Sequence, residues 1–226
     1  MKKFKYLPYI IFLNITTLAI MNIISGKVIG VWIFTLSAAS LLDPINYLIG
    51  DTVTEVYGYK QARRTNWILL GSSVLTAVFL QLAVWLPPAH GFAFGDAYAQ
   101  VLGQVPRVVL GAWVALFCGQ FLNDFVLAKM KILTKGKYLW TRTISSTAAG
   151  QAVDTTFFYV IVFLGVIPNS LLLTSILSAW FLKVIIEVAI TPLAYYVVKK
   201  LKKVEKVDHF DHGTNFNPFA IKQFFR

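Results

Sequence analysis

Gln151 and Asp154 stand three residues apart in "GQAVDTTFFYVIVFLG" (150–165), a run apolar enough to cross a membrane. In a helix both project from one face. The arrangement recurs. Gln120 and Asp124, Asp51 and Glu55, and Lys183 and Glu187 are each four residues apart in apolar surroundings, and Asp43 precedes Pro44. A charge at mid-membrane costs about 2.5–3.5 kcal/mol, so such groups face a wet cavity, pair with one another or meet a ligand. A carboxylate accepts two parallel N–H bonds, and a glutamine amide both donates and accepts. Phe157, Phe158 and Tyr159 offer stacking faces beside them. The chemistry is that of holding a small, polar, nitrogen-rich or cationic solute. Gln151 with Asp154 is the first candidate, being deepest in its run with no local cation.

Plainer roles stand beside this one. Lys183 and Glu187 can neutralise each other and fix one helix in register. Interfacial water, or Arg63 and Arg64, can satisfy Asp51 and Glu55 near a membrane surface. Asn14 and Asn22 suit ordinary helix–helix hydrogen bonds. Asp124 with Asp154 would suit a protease dyad only with flanking motifs that the sequence lacks, so no enzyme activity is expected.

The elements that must position these groups follow from composition. Of 226 residues, 57% are hydrophobic and only 14% charged, against about 25% charged in soluble domains. The chain reads as an all-α integral membrane protein with six helices, over about 7–25, 31–57, 66–86, 107–128, 143–167 and 171–198. These form a transmembrane domain, 1–203, followed by a tail, 204–226. The connections alternate in charge. Lys2, Lys3 and Lys5; Lys60, Arg63 and Arg64; Lys129, Lys131, Lys135, Lys137 and Arg142; and Lys199, Lys200, Lys202 and Lys203 all fall on one side, with only Lys27 and Arg107 opposite. The positive-inside rule then makes both termini cytoplasmic. Trp67 and Trp140 fall at the inner surface and Trp32 and Trp85 at the outer, while Trp113 and Trp180 lie deeper, for packing or stacking on a flat ligand.

Residues 1–25 read as a retained first helix, since Asn14, Thr16, Thr17 and Asn22 interrupt the apolar run and no cleavage pattern follows. Asp43-Pro44 suits a break and restart of the second helix, a feature that lines binding sites in transporters. The loop 87–106 suits either an interfacial connection or a lid, with Asp96 capping a short helix toward Pro106. A single cysteine, Cys118, excludes a disulfide framework. There is no nucleotide-binding loop of the Walker type. The three histidines lie in the outer loop and the tail, so neither metal nor cofactor is expected.

"DPINYLIGDTVTEVYGYKQARR" (43–64), "VPRVVLGAWVALFCGQFLNDFVLAKMK" (105–131), "RTISSTAAGQAVDTTFFYVIVFLG" (142–165), "LKVIIEVAITPLAYYVVKKLKK" (182–203) and "DHFDHGTNFNPF" (208–219) resemble the queuosine precursor transporter family, also called the vitamin uptake transporter family. The resemblance implies a six-helix importer of the bacterial inner membrane, similar in architecture to substrate-binding subunits of energy-coupling-factor transporters. Its cargo would be 7-cyano- or 7-aminomethyl-7-deazaguanine, or queuine, carried by alternating access. The alternative is a capture subunit that needs a separate energising module. Family motif positions match at Asp51, Glu55, Gln120, Asn123, Gln151, Asp154, Lys183 and Glu187. With Asp43, the expected substrate contacts are Asp154, Gln151, Gln120, Asn123, Asp51, Glu187 and Lys183. Partners implied are the 7-deazaguanine and membrane lipid, with no nucleic acid; a homodimer is left open. Phe216 and Phe219 suit docking of the tail on the inner face.

Overall fold

The structure is a computed structural model that describes residues 4–31 and 34–219. Expectations placed on Lys2, Lys3, Trp32 and tail residues 220–226 lie outside the described residues. The element order is α1 (Leu7–Ile24), β1 (Val28–Val31), β2 (Phe34–Ser37), α2 (Asp43–Tyr57), α3 (Tyr59–Trp85), α4 (Gly95–Leu102), α5 (Val105–Ala115), α6 (Phe121–Leu133), α7 (Leu139–Phe163) and α8 (Asn169–Glu205). A 3-10 turn (Ala38–Leu41) leads into α2, and a π-helical segment (Leu116–Gln120) joins α5 to α6.

Polarity is inverted relative to a water-soluble protein. Phe12, Phe79, Trp85, Leu173, Phe181 and Tyr196 are exposed, whereas Asp51, Glu55, Asp124, Lys131, Arg142 and Glu187 are buried. Only hydrocarbon accepts such an exterior. Four helical stretches are long and apolar enough to cross a membrane: Leu7–Ile24, Tyr59–Trp85, Gly95–Leu133 and Asn169–Glu205. The protein is thus a helical, multi-pass membrane protein.

Sequence and structure part at several boundaries. The helix expected over 31–57 is not continuous: β1 and β2 form an antiparallel hairpin, with Ile29 opposite Leu36 and Gly30 opposite Thr35. The run "VIGVWIFT" is rich in β-branched and aromatic residues, which favour strands. Ser37 Oγ donates to the Ser25 carbonyl at 2.7 Å and ties the hairpin to the end of α1. The helix restarts at Asp43 with Pro44 in its first turn, although the Asp43 side chain makes no cap. The short helix α4 ends at Leu102, not Pro106, and Asp96 does not cap it. Gly58, at φ +84°, separates α2 from α3, which begins at Tyr59 rather than 66. The last helix continues through its lysine-rich end to Glu205 rather than stopping at 198.

The central helix α7 packs against α5, the π segment, α6 and α8. Two glycines permit this. A Cβ on Gly150 would lie 2.8 Å from Asn123 Cβ and 2.9 Å from the Gly119 carbonyl; one on Gly119 would lie 2.7 Å from the Gly150 carbonyl. The backbones therefore touch, and Asp154 is carried against the π segment.

At the end opposite the hairpin, Glu55 is 1% exposed and pairs with Arg142, with Lys202 at 2.6 Å and with Lys131 at 3.5 Å. This corrects the expectation that water, Arg63 or Arg64 serves it. Arg63 instead donates to the carbonyls of Asn215 and Asn217 at 2.9 and 2.7 Å. The tail is a docked strap. Trp67 Nε1 donates to the Pro218 carbonyl, Phe216 packs on Tyr59 and Phe125, and Phe219 on Trp67 and Phe117. Asp211 accepts from the Tyr59 backbone N–H, and Asp208 joins Lys131 and Lys202. Burial would raise the Asp208 carboxyl, but the hydrogen bonds from Lys131 and Lys202 prevail and hold it below the ordinary carboxylate value.

The glycine contact is testable. Gly150→Ala should destabilise the protein by about 1–3 kcal/mol, as overpacking does. Gly71→Ala, where a methyl meets nothing within 4 Å, should stabilise it by roughly 0.5–1 kcal/mol. Melting temperatures in detergent should therefore move in opposite directions.

Candidate substrate-binding site

Between the hairpin end of α1, the 3-10 turn, α2, the π segment, α7 and α8 lies a cavity of about 100 Å³. Five of the eight expected contacts line it: Asp43, Gln120, Gln151, Asp154 and Lys183. Three do not. Asp51 and Asn123 lie outside it and bond to one another, Asn123 Nδ2 donating to Asp51 Oδ1 at 3.1 Å. Glu187 is buried beyond the lining, at 1% exposure.

Lys183 organises the site. Its Nζ lies 3.0 Å from Gln151 Oε1, 3.2 Å from Asp154 Oδ2 and 3.8 Å from Asp43 Oδ2. The absence of a local cation at Asp154 is made good from another helix, and of the two roles open to Lys183 the pairing with Glu187 is not the one observed among the described residues. A lysine stem is long enough to leave its own helix face and reach α7. Two carboxylates share one ammonium, so the cluster has one more acidic group than basic. Of the two, Asp154 is the more accessible, its side chain 23% exposed against 7% for Asp43.

Gln151 is fixed by two donors on one oxygen, Lys183 and the Tyr47 hydroxyl at 3.1 Å. Among the described residues no hydrogen bond uses its amide nitrogen, which stays available as a donor. Phe158 and Tyr159 line the cavity, but Phe157 is exposed on the other face. Trp113 and Trp180 do not line it; their indole N–H groups tie helices by donating to the carbonyls of Leu70 and Ala148.

Sequence reasoning missed Tyr47, Asn46, Ser25 and Ser37, all in the lining. Tyr47 had a signal, standing four residues after Asp43 on the same helix face. Ser25 and Ser37 had none, since only the hairpin brings them together. Gln120 lines the cavity from the end of the π segment; π segments recur at functional positions. Its Nε2 also donates to Asp124 Oδ1 at 3.0 Å.

The sequence profile of the family described as "Putative vitamin uptake transporter" matches residues 37–197. The chain belongs to the vitamin uptake transporter family. The matched range carries Asp43, Gln120, Gln151, Asp154 and Lys183, and so contains every expected contact that lines the cavity. It omits α1, most of the hairpin and the strap. A relative from Bacillus subtilis (strain 168), described as "Probable queuosine precursor transporter", is 31% identical over 153 residues; the match covers 67% of this chain and 66% of the relative. The chain thus matches just under two thirds of that relative's length. No solved structure matches the chain. Membership of a transporter family accords with a cavity built of binding groups.

Removing the ammonium tests the charge balance. Lys183→Met should lower stability by about 3 kcal/mol, the lower end for breaking a buried pair, because Asp154 retains some access to water. Adding Asp43→Asn should restore part of the loss. A double-mutant cycle on thermal unfolding reads the coupling.

Proposed function

We propose that this chain imports a 7-deazaguanine precursor of queuosine across the bacterial inner membrane, by alternating access about the cavity at Asp154. The cargo is 7-cyano- or 7-aminomethyl-7-deazaguanine, or queuine. One observation carries the reading: Asp154 and Gln151, whose amide nitrogen makes no hydrogen bond among the described residues, sit side by side on a cavity wall where two carboxylates share one ammonium. A guanine-like edge presents adjacent N–H donors to the carboxylate and acceptors to the amide. Phe158 and Tyr159 supply apolar surface for the ring. The name of the Bacillus subtilis relative supports the same class of cargo.

At about 100 Å³ the cavity is smaller than the roughly 300 Å³ of ordinary small-molecule sites. Entry of a bicyclic base therefore requires expansion. Withdrawal of Lys183 from Asp154 is the natural step, since ligand N–H groups replace the ammonium as donors. In this reading the 25-residue α7, and α2 together with the hairpin, complete six crossings, with both termini and the strap cytoplasmic in accord with the lysine-rich connections.

Thermal-shift measurements on the purified protein test the site. A 7-deazaguanine at one hundred times its dissociation constant should add about 2.7 kcal/mol of stability, guanine less, and Asp154→Asn should abolish the effect. An unchanged shift in that variant rejects the site. Uptake by the chain alone in liposomes is expected; binding without uptake would indicate a capture subunit that needs a separate motor.

A further inference from the structure

A second, smaller hollow of about 20 Å³ lies between α1, α2, α3 and the π segment. Its polar walls are Asn14, Asn46, Thr65, Asn66, Gln120 and Asp124. Asp124 is 1% exposed and accepts three hydrogen bonds, from Thr54 at 2.9 Å, Asn66 at 2.7 Å and Gln120 at 3.0 Å. All three donors are neutral, and no described lysine or arginine forms an ion pair with it. Two further oxygens, Asn14 Oδ1 and Thr65 Oγ1, belong to lining residues 3% and 2% exposed and have no hydrogen-bond partner among the described residues.

These facts concern both charge and hydrogen bonding. The volume admits one water-sized species. A water would satisfy the stranded oxygens but leave the carboxylate charge without a counterion in a membrane interior, where charges require partners. A small cation satisfies both. The donor set is all oxygen, hard and singly charged. Calcium takes six to eight oxygens, several from carboxylates, and magnesium keeps several waters that this volume does not admit. We propose that the hollow bounded by Asn14, Thr65 and Asp124 is a binding site for a monovalent alkali cation, with Na⁺ the probe of choice.

The site stands without the substrate reading, but a consequence rests on it. Gln120 lines both the hollow and the cavity, and its amide donates to Asp124. A cation that draws Asp124 oxygens toward itself competes with that hydrogen bond and reorients Gln120 in the cavity. Cation and cargo then change each other's affinity by the same factor.

The test uses the full chain in detergent without substrate, exchanging NaCl for choline chloride at constant ionic strength. The melting temperature should rise saturably with Na⁺ and not with choline. Asp124→Asn should remove the rise. Thr65→Val provides a second arm that leaves the buried carboxylate in place: similar in shape, it should shift the half-saturating Na⁺ concentration about tenfold upward, in line with the loss of one oxygen contact to a charged group. Equal melting in Na⁺ and choline overturns the proposal, as does a wild-type Na⁺ response in both variants. Stabilisation by acid without any response to Na⁺ also overturns it, in favour of a protonated Asp124. A Na⁺ response with no 7-deazaguanine binding keeps the cation site and removes the substrate reading.

Discussion

Every feature of this bundle answers to the cost of holding carboxylates where there is no bulk water. Asp43, Asp51, Glu55, Asp124, Asp154 and Glu187 stand inside a protein whose outer surface is apolar. Each must find charge or hydrogen bonds within the chain, because lipid provides neither. The solutions differ along the bundle. Glu55 is saturated by three cations and is structural. Asp124 is held by three neutral donors. Asp43 and Asp154 divide one ammonium between them and remain short of positive charge. A carboxylate short of positive charge has capacity left for a ligand, whereas one saturated by cations, as Glu55 is, has none.

The same cost dictates how closely the helices approach. Lys183 can bridge α8 to α7 and α2 only if those helices converge, and the Gly119–Gly150 contact draws α7 against the π segment. Gln120, at the end of the π segment, lines the cavity, while Asn123 and Asp124 just beyond it bond to α2 and α3. Backbone proximity and charge placement are therefore one design. Small residues let the chains meet, and the meeting brings polar side chains within reach of partners on other helices.

Much of this was legible in the sequence, for a physical reason. Charges inside apolar runs are expensive, so Gln151, Asp154, Gln120, Lys183 and Asp43 stood out, and helical spacing put them on inward faces. What was not legible depended on three dimensions. Spacing along one helix offers Glu187 as a partner for Lys183, yet the lysine stem reaches across to Asp154. "VIGVWIFT" is apolar enough for a helix or a strand, and only its β-branched composition separates them. Charge alone offers Arg63 to the carboxylates near the surface, whereas the strap engages it through the backbone carbonyls of Asn215 and Asn217, which leave no mark in a sequence. The docking of Phe216 and Phe219 was foreseeable because two phenylalanines in a polar tail need cover.

The strap also bears on charge balance. Lys131 and Lys202 converge on Glu55 together with Arg142, so three positive groups meet one negative group until Asp208 arrives. Asp208 lies beyond the last helix and is translated after all the groups it balances. Without Asp208 that end of the bundle carries surplus positive charge. Charge balance at that end is thereby completed by a residue of the strap, outside the membrane domain.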